Sequence, residues 1–184
     1  MNHQQLPAPD AFHVQAGTEA VSRARRRISG TARHWNVPLS DSALADVELC
    51  ASEIIANALT HAGRECWVRT HWTGQFLQVE VTDRSLRPPV VRSATSEATS
   101  GRGLALVESF SHGWGWVPRG LGKTVFFIVA DEAVLAGAHG TGALARTARA
   151  HVQQNGSLAS SMRGRGKRRW PTWAGRRLSC LGWS

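Results

Sequence analysis

The chain has no tyrosine, only three cysteines and only two lysines among its 184 residues. Cys50, Cys66 and Cys180 are scattered and form no C-x-x-C pair, which excludes a disulfide framework and a structural zinc site and fits a reducing compartment. Long hydrophobic runs are missing too: the longest, Val125 to Ala130, falls far short of the roughly 20 residues a spanning helix needs. The first residues carry no apolar stretch of the signal-peptide kind. The expected setting is therefore cytoplasmic, with no membrane partner.

Acids are absent from one region altogether. Residues 1 to 132 hold all 13 acidic residues and 13 basic ones, whereas residues 133 to 184 hold nine basic residues and no acid. The net charge of +9 thus describes a tail appended to a neutral body. A body of this length is one domain, large enough to bury a core. The expected division is a flexible N-terminus over 1–9, a domain over 10–140, and a basic, disordered tail over 141–184.

Within the body, Val21, Ala24, Ile28, Ala32 and Trp35 recur at helical spacing after Thr18, a candidate N-cap. After Pro38, a second helix is predicted from Asp41 to His61 on the stripe Leu44, Val47, Ala51, Ile54, Ile55 and Ala58. The period then changes to two. Glu65 to Trp72 and Phe76 to Asp83 read as a hairpin turning at Thr73-Gly74, with Leu77, Val79, Val81 and Asp83 on one face. An inward carboxylate at the mouth of a core requires a partner. The Pro- and Ser-rich stretch 84–100 reads as a lid. Leu104 to Phe110 is a short helix, Gly113 to Val117 and Lys123 to Val129 are strands, and Asp131 can cap a last helix fading near Gly140. With a short strand near Phe12 to Val14, the order βααββαββα predicts an α+β two-layer sandwich, a mixed but mostly antiparallel sheet with helices on one face.

Three constellations carry chemistry. Glu53 and Asn57 lie four apart on the second helix, bordering its apolar stripe, with His61 continuing the row. A carboxylate beside an amide can place a general base and a hard-oxygen metal ligand at one site. Gly101-Arg102-Gly103 sits at a loop-to-helix junction, where backbone N–H groups and an arginine fork can meet phosphate. Gly122-Lys123-Thr124 enters the last strand. Taken singly, each has a plain structural explanation: a solvated helix face, a loop hinge, an edge-strand lysine.

In order, Ser52-Glu53-Ile54-Ile55-Ala56-Asn57, Val81-Thr82-Asp83-Arg84-Ser85 with Pro88, Gly101-Arg102-Gly103-Leu104 and Gly122-Lys123-Thr124-Val125 resemble the GHKL ATPase superfamily of gyrase, chaperone, histidine-kinase and mismatch-repair ATPases. The likeness spans about residues 10 to 131 and is nearest the anti-sigma-factor type of serine/threonine kinase of actinobacteria. It implies a Bergerat-type ATP-binding fold, with ATP and Mg²⁺ as cofactors. Glu53 then matches the general base, Asn57 the Mg²⁺ ligand, Asp83 the acceptor for the adenine amino group, and Thr124 the threonine beside adenine. Gly101 and Gly103, with Leu104 opening the helix, match the glycine motif flanking the phosphates, and Arg102 and Lys123 match phosphate contacts. The wider superfamily has glycines after the adenine aspartate, whereas Arg84-Ser85-Leu86-Arg87-Pro88 stands here, the form usual in the anti-sigma-like branch.

The resemblance implies γ-phosphoryl transfer to a Ser or Thr of an antagonist (anti-anti-sigma) protein, with a sigma factor as second partner and a homodimer as an allowed assembly. Two alternatives stand beside this reading. One is a catalytically silent module that senses nucleotide and sequesters a partner. The other is nucleic-acid binding by the tail, where residues 163 to 177 hold seven basic residues with Trp170 and Trp173 among them.

Overall fold

The computed structural model describes residues 6–90, 102–130 and 146–153. Five strands form one sheet: β1 (Asp10–Gln15), β2 (Glu65–Trp72), β3 (Phe76–Asp83), β4 (Gly113–Arg119) and β5 (Gly122–Ala130), in the order β1-β2-β3-β5-β4. All four pairings are antiparallel, so the sheet is not mixed. The helices are α1 (Ala20–His34), α2 (Asp41–His61), α3 (Gly103–Phe110) and a short α4 over 146–153. The predicted helix after Asp131 lies outside the described residues, as do lid residues 91–100.

Local chemistry fixes the element ends. Ser40 caps α2, its Oγ accepting from the Ala43 N–H at 3.2 Å. Thr18 does not cap α1; that helix starts after Glu19 and has no side-chain cap. After α2 the chain reverses through Gly63 (φ 96°) and Arg64 (φ 64°), the left-handed region where glycine costs nothing. In the β2–β3 turn, Thr73 Oγ1 accepts from the Phe76 N–H at 3.1 Å, and Gly74 takes φ 88°.

The sheet has two covered faces. On one, Val68, Leu77, Val79, Val81, Val125, Phe127 and Val129 meet Ala24 and Ile28 of α1 and Val47, Ile54 and Ile55 of α2, forming the main core. The opposite face carries Phe76, Val117, Phe126 and Ile128, and α4 closes part of it with Ala148 and Val152, both fully buried. Within the stretch expected as a disordered tail, residues 146–153 thus form a helix held by burial, on the face opposite α1 and α2 and not on the one helix-bearing face expected. Gln78 Nε2 donates to the Ala148 carbonyl at 3.4 Å, and Arg119 donates to the Val152 carbonyl at the helix's C-terminal end.

Candidate nucleotide-binding site

Helix α2 presents Glu53 and Asn57 half-buried on the row predicted for them. Neither side chain makes a hydrogen bond or ion pair among the described residues. His61, one turn further, is exposed. Against this row lies the first turn of α3. A Cβ on Gly103 would stand 2.4 Å from Glu53 Oε2 and 3.5 Å from Asn57 Nδ2, so glycine lets the α3 backbone approach the pair without pushing the Glu53 carboxylate aside. The carboxylate, the amide and a helix N-terminus thus come together. Arg102 is exposed beside them, Leu104 is buried and seats the helix start, and Gly101 lies outside the described residues.

A second cluster forms at the end of β3. Asp83 is buried, as its parity required, and its partner is Lys123: Nζ donates to Asp83 Oδ1 at 2.9 Å, with side-chain exposures of 10% and 3%. The Ser85 N–H also donates to Asp83 Oδ1, at 2.7 Å, and the Ser85 carbonyl accepts from Lys123 Nζ at 3.4 Å. Gly122 makes room for this arrangement, since a Cβ there would meet the Asp83 carbonyl oxygen at 1.9 Å. Cys66 lies near Asp83; burial foremost, then the negative charge of Asp83, pushes its thiol up to about 12 and keeps it neutral.

Thr124 is placed otherwise than the spacing suggested. Asp83 faces Lys123 across the β3–β5 ladder, and Thr82 faces Thr124. Strand alternation therefore turns Thr124 to the α4 side, where its hydroxyl meets Thr82 Oγ1 at 2.8 Å and accepts from Arg119 Nε at 3.3 Å. The place beside Asp83 expected of Thr124 belongs to Lys123. Lys123 in turn is bound within the aspartate cluster, to Asp83 and to the Ser85 carbonyl. Ser85 and Gly122 also shape this cluster; an aspartate two residues before a turn N–H is a recognisable side-chain-to-backbone signal. A separate cavity of about 200 Å³ between β1 and α1, lined by Phe12, His13, Arg23 and Arg27, shares no residue with either cluster.

The histidine kinase-like ATPase domain family matches residues 14–129, nearly the whole of the body. The chain belongs to that family. As a member it carries an ATP-binding domain, and both clusters fall inside the matched span. No curated protein matches. Among solved structures, the RsbU and RsbW domains of a Mycobacterium tuberculosis protein are similar at 19% identity with a TM-score of 0.49, over 67% of this chain and 32% of that one. The chain thus spans about a third of that neighbour's length. No helix among the described residues of the ATPase is long and apolar enough to cross a membrane.

Proposed function

We infer that this ATPase domain is a regulatory serine/threonine kinase of the anti-sigma-factor type, passing the γ-phosphoryl group of ATP to an antagonist protein. The observation that carries the reading is Gly103 closing on two polar side chains, Glu53 and Asn57, that have no hydrogen-bond or ion-pair partner among the described residues. Half-buried and not tied up by neighbours among the described residues, both side chains are open to a ligand.

The donor set fits Mg-ATP. An amide oxygen and a carboxylate are hard ligands of the kind Mg²⁺ accepts in small number, and the Gly103 cradle leaves no Cβ in the way. Asn57 would hold the metal, which neutralises phosphate charge when bound. Glu53 takes the proton from the partner's hydroxyl as its oxygen bonds the γ-phosphorus; the bond from that phosphorus to the β–γ bridging oxygen breaks, and ADP leaves. Backbone N–H groups at the start of α3, with Arg102, offset the charge that develops on the phosphoryl oxygens. Asp83 accepts the adenine amino group.

The test mixes the full chain with ATP labelled at the γ position and an antagonist protein captured on it. Label on a Ser or Thr of that protein, lost in Glu53→Ala while ATP still binds, supports the reading. Binding without transfer in the native chain leaves a nucleotide-sensing module instead.

A further inference from the structure

The buried Lys123–Asp83 couple has no part in phosphoryl transfer, and its geometry carries more than mutual neutralisation. Both hydrogen bonds that Asp83 accepts among the described residues run to Oδ1, one from Lys123 Nζ at 2.9 Å and one from the Ser85 N–H at 2.7 Å. Oδ2 is left as an acceptor. An ammonium has three N–H donors. Lys123 directs one to Asp83 Oδ1 and one to the Ser85 carbonyl, which leaves the third. One acceptor and one cationic donor therefore stand side by side on the sheet face that looks toward the helices. β5 supplies no neutral hydroxyl there, because Thr124 is turned to the other face and bound to Thr82.

Adjacent donor and acceptor groups are what the Watson–Crick edge of adenine presents, in its exocyclic amine and ring nitrogen N1. We propose that Lys123 is a base-reading residue of this ATPase, donating directly to adenine N1 while Asp83 Oδ2 accepts from the amine. The inference rests on the nucleotide reading above and names how its base is chosen. Two features make the couple selective. With side-chain exposures of 10% and 3%, neither group can turn toward water to accommodate a wrong base. A base with a carbonyl at position 6 and a protonated N1, such as hypoxanthine or guanine, opposes acceptor to carboxylate and donor to ammonium. Such a ligand leaves buried polar groups unpaired, the circumstance in which discrimination is large.

The experiment measures binding of ATP, of ITP and of the ATP analogue with N1 replaced by C–H (1-deaza-ATP), to the full native chain and to Lys123→Met. A hydrogen bond to a charged group corresponds to about 10- to 100-fold in affinity. The native chain is expected to bind the 1-deaza analogue weaker than ATP by that factor and ITP weaker still. Lys123→Met is expected to bind ATP and the 1-deaza analogue equally, since the donor that tells them apart is gone. Equal affinity of the native chain for ATP and the 1-deaza analogue overturns the proposal while leaving ATP binding intact. Binding of neither overturns the nucleotide reading as well. That comparison within the native chain decides even if Lys123→Met, with Asp83 unpaired, fails to fold.

Discussion

Two glycines show how differently a single methyl group can act in this molecule. At Gly103 the added Cβ would meet the tip of Glu53, a carboxylate able to swing aside. Gly103→Ala should therefore leave the melting temperature within a few degrees of native and displace Glu53, and a misplacement of about 1 Å can cost about 100-fold in rate. Label transfer and thermal denaturation on the same sample check both halves. At Gly122 the Cβ would meet the Asp83 carbonyl oxygen, which is held in the β3–β5 ladder and cannot move away. Gly122→Ala should cost about 1–3 kcal/mol, the usual range for overpacking, read from denaturant unfolding. The shared row of Glu53 and Asn57 was legible because helical spacing fixes which side chains lie together. Thr124 was not, for a physical reason. In a strand a shift of one residue reverses the face, and Val125 to Ala130 is apolar at every position, so alternation gave no parity for the residues just before it.

At the scale of elements, the same apolar run points to α4. All nine residues of β5 are buried, which a sheet with one solvated face would not allow. The helix over 146–153 covers Phe76, Phe126 and Ile128 with Ala148 and Val152. It was not legible in the sequence because its own span is short and lies within an acid-free basic stretch, while its stability comes from docking and not from propensity. Val152→Asp should lower stability by about 2 kcal/mol or more by burying an unpaired polar group, measured as a drop in melting temperature. The docked helix also brings His151 to His71, with ring centroids 5.8 Å apart. Burial first, then the positive charge of Arg69 and of His151, pushes His71 down to about 4. Glu80 of β3 and Arg119 of β4, on either side of β5, interact electrostatically, and burial holds the Arg119 guanidinium below its usual range. In the unfolded chain His71 titrates near the ordinary value of about 6.5. The unfolded state therefore binds the extra proton first: this contribution is full above pH 6.5 and is lost as pH falls toward 4. After allowance for partial exposure the loss should be about 1 kcal/mol, and His71→Gln should flatten that part of the stability-against-pH curve.

Across the whole molecule, charge and chemistry separate. The acids and basic residues balance up to Glu132, and the family match, the Glu53–Asn57 row and the Asp83–Lys123 couple all lie within that balanced part. Residues 154–184, with the Arg- and Trp-rich segment, lie outside the described residues. The net charge therefore says little about the pocket. The fold was legible nearly to the residue, since the change of period from helix to strand and the glycine turns mark almost every boundary. What the sequence alone left out, the second covered face and the pairing of Lys123 with Asp83, depends on contacts between segments far apart in the chain. The measurement that bears most directly on the central claim is calorimetric titration of the native chain with ATP, with Mg²⁺ and with a chelator. One nucleotide should bind per chain, more tightly with Mg²⁺, and Asn57→Ala should lose that Mg²⁺ dependence, about 10-fold or more in affinity, at an unchanged melting temperature. Absence of ATP binding by the native chain, or Mg²⁺ dependence undiminished in Asn57→Ala, would contradict the account.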